Sequence, residues 1–200
     1  LSRGPRFRLS AEIVRDQAMA VSGLLTRQIG GPSVMPPQPG GIWKSTYSGE
    51  KWKNATGADR YRRALYTYKK RTSPYPAMLT FDSGSGEVCQ IRRVRTNTPL
   101  QALVTLNDTV YVEAAGALAT RMEHSASTSR DRIANGFRMV LVRHADPKEL
   151  DRLVALYDSL ETELTDGDAL LKSAGLTEGD PRLVAVANVL LNLDETLMKQ

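Results

Sequence analysis

Three proline-led helix starts in the second half of the chain set what it can fold into. Thr98-Pro99-Leu100-Gln101, Asp146-Pro147-Lys148-Glu149 and Asp180-Pro181 each place a capping side chain directly before a proline. Proline's fixed φ suits the first helical position, and the amide it lacks has no partner there anyway. In the first two, Gln101 and Glu149 stand three residues after the cap, where they can reach back to its N–H. Apolar residues then recur at helical spacing. One set is Leu100, Leu103, Val104, Tyr111, Ala114 and Leu118, within which Asn107-Asp108-Thr109 is expected to break or kink the run. Another is Leu150, Leu153, Val154, Tyr157, Leu160 and Leu164, and a third is Leu183, Val184, Ala187, Leu190 and Leu191. Between them, after a linker at Ser125 to Ser129, Ile133, Phe137, Val140 and Leu141 mark a further helix. Such starts with short connections predict a helical bundle over residues 99–200.

The first half reads differently. Leu9, Ile13, Ala20 and Leu24, with Val14, Val21 and Leu25 beside them, predict a first helix over 9–28, within a segment 1–29. Arg15, Asp16, Gln17 and Arg27 lie largely off that stripe, and Gly30-Gly31-Pro32 is expected to end it. Residues 30–98 form an irregular, basic lobe. Pro36, Pro37, Pro39, Gly40 and Gly41 forbid regular structure, while Trp43, Tyr47 and Trp52 call for burial and predict a loop pinned onto the helical body. Residues 59–72 fit either a short helix or an extended segment, and Phe81 to Gly86 reads as a turn. The expected fold class is therefore mainly α: a single helical domain, a bundle with a long irregular Pro/Gly/aromatic loop region.

Composition narrows the function classes. Hydrophobic residues make up 41%, enough for a core. The longest apolar stretch, Val184 to Leu191, is interrupted by Asn188 and falls short of the roughly 20 residues a membrane-spanning helix needs. The single cysteine, Cys89, allows no internal disulfide and is expected to be a half-buried structural thiol. The chain opens on Leu1 with no charged-then-apolar leader, and is expected to be a segment of a larger protein. Net charge is +5, divided unevenly: residues 1–99 hold 17 Lys/Arg against 6 Asp/Glu, or +11, and residues 100–200 hold 10 against 16, or −6. That asymmetry fits either two lobes that attract each other or an anion-binding surface.

No motif commits the chain to a reaction. It has no Cys-x-x-Cys-His, no phosphate loop, no Gly-x-Gly-x-x-Gly and no Gly-x-Ser-x-Gly. His124 and His144 sit at predicted helix ends, where a cation suits the dipole, and no metal site is expected. The candidates for a binding site lie in the loop lobe, because loops on a rigid body commonly carry function. They are Trp43, Tyr61, Arg62, Arg63, Tyr66, Arg71, Asp82, Arg92, Arg93 and Asn97. Two readings of this surface lead. One is an interaction module, with Arg62 and Arg63 docking on an acidic partner. The other is an enzyme or glycan-binding pocket with aromatic faces beside a carboxylate, Asp82. Nucleic-acid binding through the tyrosine-interleaved arginines ranks third.

Several strings occur in a distinctive order: GGPSV at 30–34, QPGGIW at 38–43, YRRALYTYKKRTSPYP at 61–76, FD at 81–82, RTNTPLQALVTLND at 95–108, YVEAA at 111–115 and LLNLDETL at 190–197. In this they resemble the planctomycete-type PSD1 family, a domain of unknown function, over about Arg8 to Leu197. One departure is Asn107-Asp108-Thr109, where the family often has proline last. The resemblance implies a C-terminal domain of a large exported protein, in the periplasm or cell envelope, commonly with a cytochrome-c-like haem segment elsewhere in the parent. It implies no cofactor in this chain and no catalytic residues. The implied partners are other domains of the parent, or an acidic protein or polysaccharide.

Overall fold

The structure, a computed structural model, describes residues 6–43, 49–84 and 86–199; Arg3, Tyr47 and Ser85 lie outside them. The described chain is mainly α. Helix α1 spans Ala11–Ser22, α2 Pro76–Thr80, α3 Pro99–Asn107, α4 Thr109–Glu123, α5 Ser129–Leu141, α6 Pro147–Glu163, α7 Gly167–Ser173, α8 Pro181–Asn192 and α9 Asp194–Leu197. Two-residue strands β1 (Phe7–Arg8) and β2 (Met198–Lys199) pair antiparallel and bring the two ends of the described chain together.

The three proline-led starts open α3, α6 and α8. The Gln101 side chain accepts from the Thr98 N–H at 3.3 Å, and Glu149 accepts from the Asp146 N–H at 2.8 Å. Asp108 breaks the long run as expected: it ends α3 and caps α4, accepting the Val110 N–H at 3.0 Å. Helix α4 is the hub, with Ala114, Ala115, Leu118 and Met122 fully buried against α1, α5 and α8. From α5, Ile133 and Phe137 complete the core, and from α8 Val186, Ala187 and Leu190 do so. Gly136 lets α5 approach closely, since a Cβ there would stand 2.6 Å from the Met122 sulfur.

Helix α1 is shorter than its periodicity suggests. Gly23, at φ +83°, takes the left-handed cap position and donates to the Ala20 carbonyl, so the helix stops at Ser22 rather than at Gly30-Gly31. Its buried face is also not the expected stripe. Ala11, Val14, Arg15, Ala18, Met19 and Ser22 are buried, whereas Ile13 and Ala20 are exposed. Residues 59–72 satisfy both expected alternatives in part: two 3-10 turns, Gly57–Tyr61 and Ala64–Tyr66, with single parallel bridges from Arg62 to Thr26 and from Thr67 to Val34.

Candidate functional site

The lobe is fastened to α1 by polar contacts. Arg15, on α1 yet only 2% exposed, donates through its two terminal nitrogens to the carbonyls of Arg62 at 2.7 Å and Arg60 at 3.0 Å. One turn face over, Asp16 accepts the Ala64 N–H at 2.6 Å and pairs with Arg63 at 3.4 Å. Arg15 was expected to lie largely off the apolar stripe of the helix. It is buried because that face of α1 is where the lobe docks, and backbone carbonyls take the place of water.

Arg62 is likewise 2% exposed. Its guanidinium donates to the carbonyls of Gly30 and Pro32 and lies 3.9 Å from the Tyr66 ring centroid. The Tyr66 hydroxyl in turn accepts the Gly30 N–H at 2.8 Å. The GGP turn is therefore wrapped around a buried cation. This corrects the docking role expected of Arg62, because a residue closed off in this way cannot meet a partner. Tyr61 is also spent internally: its hydroxyl donates to Glu113 of α4 at 2.6 Å, beside a two-pronged Arg60–Glu113 pair. Burial and that carboxylate push the Tyr61 phenol up from its ordinary value.

Farther out, Trp43, Trp52, Tyr68 and Tyr75 form one aromatic cluster. Trp43 meets Trp52 edge-on at 5.2 Å, and Trp52 stacks on Tyr75 at 5.7 Å. The cluster grips its own proline segment: the Trp52 indole donates to the Pro36 carbonyl at 2.8 Å and the Tyr75 hydroxyl to that of Pro37 at 2.7 Å. Aromatic donors around an extended proline run are a common peptide-recognition arrangement, here formed within one chain. Burial pushes the Tyr75 phenol far up. Glu50 accepts from the Tyr68 hydroxyl at 3.0 Å and from Lys70 at 2.8 Å, and the Lys70 bond holds its carboxyl below the usual range. An open cleft of about 580 Å³ lies here, lined by Gln38, Pro39, Ile42, Trp43, Glu50 and Trp52, among others.

Asp82, at φ +61°, sits elsewhere. One of its oxygens accepts from the Thr96 N–H at 2.7 Å, the Thr96 hydroxyl at 2.8 Å and the Gln101 amide at 3.4 Å. Gln101 is fully buried and ties this knot to the Thr80 carbonyl at 3.0 Å. Asn97 is exposed and accepts from Arg8 at 2.6 Å. Asp82 closes the neck of the loop it begins and does not line the aromatic cleft. The loop then runs over the surface. Arg93 pairs with Glu12 at 2.7 Å, and Arg95 donates to the Arg8 carbonyl at 3.1 Å. Between neck and α3, Val88, Ile91 and Val94 are exposed, as are Leu100 and Leu103 of α3. Arg71 and Arg92 are exposed and form no ion pair among the described residues. Cys89 is exposed on this loop rather than half-buried, because its neighbours give it no wall.

The ten candidate residues thus separate into four places: Tyr61, Arg62, Arg63 and Tyr66 in the joint with α1, Trp43 in the aromatic cleft, Asp82, Arg92, Arg93 and Asn97 around the loop 82–97, and Arg71 exposed before α2. Sequence reasoning left out Gln38 and Glu50 at the cleft and Gln101 at the loop neck. Of these only Gln101 carried a signal, standing three residues after the cap in a capping box. Cys89 is the chain's single cysteine, His124 Nδ1 lies 2.7 Å from the Thr120 carbonyl, and no group of three His, Cys, Asp or Glu able to hold a metal ion occurs among the described residues. No helix is long and apolar enough to cross a membrane among the described residues.

A helical bundle carrying an irregular, internally hydrogen-bonded lobe is the class of domain these observations define. Residues 1–157 match the family described as PSD1, protein of unknown function (DUF1553), and the chain belongs to that family. The matched span ends within α6, short of the LLNLDETL string. No curated protein and no solved structure matches the chain.

Proposed function

We propose that this domain is an interaction module, and that it docks through the face formed by the loop 86–95 and α3. The observation that carries the reading is the exposure of Val88, Ile91 and Val94 on a segment held at its neck by Asp82 and braced by Arg93 and Arg95. An unanchored loop could fold such residues inward, whereas an anchored one displays them. Leu100 and Leu103 of α3, the next helix in the chain, are exposed as well. Exposed apolar residues that gather into a patch mark an interaction site. Arg92 supplies the unpaired charge. The reading commits to a partner surface that is apolar with an acidic rim, carried by another domain of the parent protein. The excess of +11 over −6 supports the basic sign, since of the ion pairs among the described residues only Arg6–Asp194 and Arg60–Glu113 join the two halves.

Cys89 is the built-in reporter. In the isolated domain a maleimide should label it readily. In the full-length parent it should be protected, and Ile91→Glu should restore labelling. Equal labelling of Cys89 in both contexts would overturn the docking reading. An envelope location and a haem segment in the parent belong to the same proposal and rest on the family resemblance. Reading the gene upstream of Leu1 tests them: a signal peptide with a Cys-x-x-Cys-His segment is expected, and a short upstream stretch with neither removes both.

A further inference from the structure

Every residue from Gly86 to Arg95 is exposed. From Val88 to Arg95 a second property is added: no backbone N–H or C=O makes a hydrogen bond among the described residues. A second exposed stretch, residues 27–33, shows the contrast. There the Gly30 N–H donates to the Tyr66 hydroxyl at 2.8 Å, and the Gly30 and Pro32 carbonyls accept from Arg62. A free, exposed backbone is what an endoprotease requires. Its active site takes several residues in extended form, so a bond within a helix or a fastened turn must wait for local opening.

The side chains then select the bond. Arg93 is held by Glu12 at 2.7 Å. Arg95 is held by the Arg8 carbonyl at 3.1 Å and lies 5.0 Å from the Phe7 ring centroid. Arg92 makes neither an ion pair nor a hydrogen bond among the described residues, so its guanidinium is free to enter the acidic pocket of an arginine-directed protease. At other exposed basic residues outside the helices the backbone is fastened. Beside Arg27, the Thr26 N–H donates to the Tyr61 carbonyl at 2.9 Å. The Arg63 carbonyl accepts the Tyr66 N–H at 2.9 Å, and a turn from Lys70 to Ser73, closed at 3.2 Å, encloses Arg71. The Lys53 N–H donates to the Met35 sulfur at 3.3 Å.

We propose that the Arg92–Arg93 peptide bond is a processing site for an endoprotease that takes arginine ahead of the cleaved bond, and that the cut domain persists as two chains, 1–92 and 93–200, folded together. Water adds across that one amide: Arg92 gains a carboxylate, Arg93 an ammonium, and no other bond breaks. The two chains stay joined by contacts away from the cut. Strand β1 pairs with β2, Arg60 with Glu113, and Asp82 accepts from Thr96. Met19 of α1 shares one core with Leu118 of α4. The two sides of the cut fare differently. The new chain start stays moored through Arg93, Arg95 and Thr96. The other side loses its far tether, so Val88 and Ile91 pass from an anchored loop to a free tail. Cleavage thereby switches docking off. That last step rests on the docking reading, whereas the cleavage does not.

The 200-residue chain is treated under native conditions with a trace of trypsin, and the products are followed by intact mass and gel filtration. Trypsin needs no partner, and Cys89 labelling needs no protease, so the two readings fail separately. Among 27 Lys and Arg residues, the first cut is expected after Arg92. Fragments 1–92 and 93–200 should co-elute at the position of the uncut chain, with its helical circular dichroism retained. Arg92→Gln alters an exposed side chain without partners and should fold normally. In it, cutting of the loop should slow about twofold to fivefold, because Arg93 must first leave an exposed ion pair. A first cut elsewhere in the chain, fragments that separate, or an unslowed loop cut in Arg92→Gln would each overturn the proposal.

Discussion

The bundle and the lobe are held together by different physics. In the bundle, α4 and α8 bury Leu118, Val186 and Leu190 in contact with other apolar groups, and the hydrophobic effect does most of the work. In the lobe, the residues from Leu24 to Asn97 include short 3-10 turns and one five-residue helix, and their backbone groups cannot all satisfy one another. Long side chains take over: Arg15 and Arg62 donate to four backbone carbonyls between them, and Trp52 and Tyr75 to two more. The residues that look most like binding residues in the sequence are thus largely the ones that fasten the lobe. A ligand or partner has to be met by what these contacts leave over.

This contrast is testable by removing one side chain from each region. Leu118→Ala should cost about 3–5 kcal/mol, because a fully buried leucine at the hub leaves a cavity between several helices. Arg62→Ala should cost about 2–3 kcal/mol, since the carbonyls of Gly30 and Pro32 lose a charged donor and Tyr66 loses its stacked cation. The spread of damage should differ more than its size. Hydrogen exchange should rise everywhere in Leu118→Ala. In Arg62→Ala it should rise in residues 24–37 and 57–68 while α4 and α8 keep their protection. Loss of protection throughout both variants would show that lobe and bundle open as one unit.

How much of each region can be read from the sequence follows the same division. The starts of α3, α6 and α8 were legible because Thr98-Pro99, Asp146-Pro147 and Asp180-Pro181 act within one turn of themselves. The end of α1 was misplaced because Leu24 and Leu25 prolong the apolar pattern, and they still pack on the core after the helix has stopped at Gly23. The burial of Arg15 and Arg62 was not legible. It depends on carbonyls 45 and 47 positions away for Arg15 and 30 and 32 away for Arg62, and no local pattern encodes such a pairing. The aromatic cleft was half legible. Trp43 announced itself as a residue that must be buried, but Gln38 and Glu50 are ordinary polar residues until the fold brings them to it.

A smaller effect should appear in acid, and in the bundle rather than the lobe. Arg143 binds Glu149 of α6 at 2.8 Å and Glu195 of α9 at 2.6 Å. The Arg143 hydrogen bond, followed by the Asp146 N–H, holds the Glu149 carboxyl down at about 2, and the same arginine lowers Glu195. A carboxyl whose folded value lies below its unfolded value stabilises the fold above the ordinary glutamate range. That stability is lost as pH falls from about 4.3 toward 2. The three side chains keep between 28% and 37% of their surface exposed, so solvent screening keeps the loss below about 1 kcal/mol. Urea midpoints measured from neutral pH down through this window should decline, and the decline should be shallower in Arg143→Met. An identical decline in that variant would assign the acid sensitivity to other carboxylates.

The smallest expected effect is also the one that separates fastening from chemistry most cleanly. Asp82 combines two demands, a left-handed backbone at φ +61° and an oxygen that accepts from Thr96 and Gln101. Asparagine meets both: it tolerates that backbone region almost as well as any residue with a side chain, and its amide oxygen can accept the same bonds. Asp82→Asn should therefore change stability by less than about 1 kcal/mol, whereas Asp82→Ala loses the acceptor and should cost about 1–2 kcal/mol. Thermal unfolding of the pair checks this. A carboxylate at work on a substrate would give another pattern, because replacing its charge with a neutral amide removes general acid or base capacity while the fold stays intact. If Asp82→Asn leaves the Cys89 protection unaltered, then Asp82 belongs to the loop's neck. The loop 86–95 is in that case displayed by a structural knot whose polar atoms are already committed to one another.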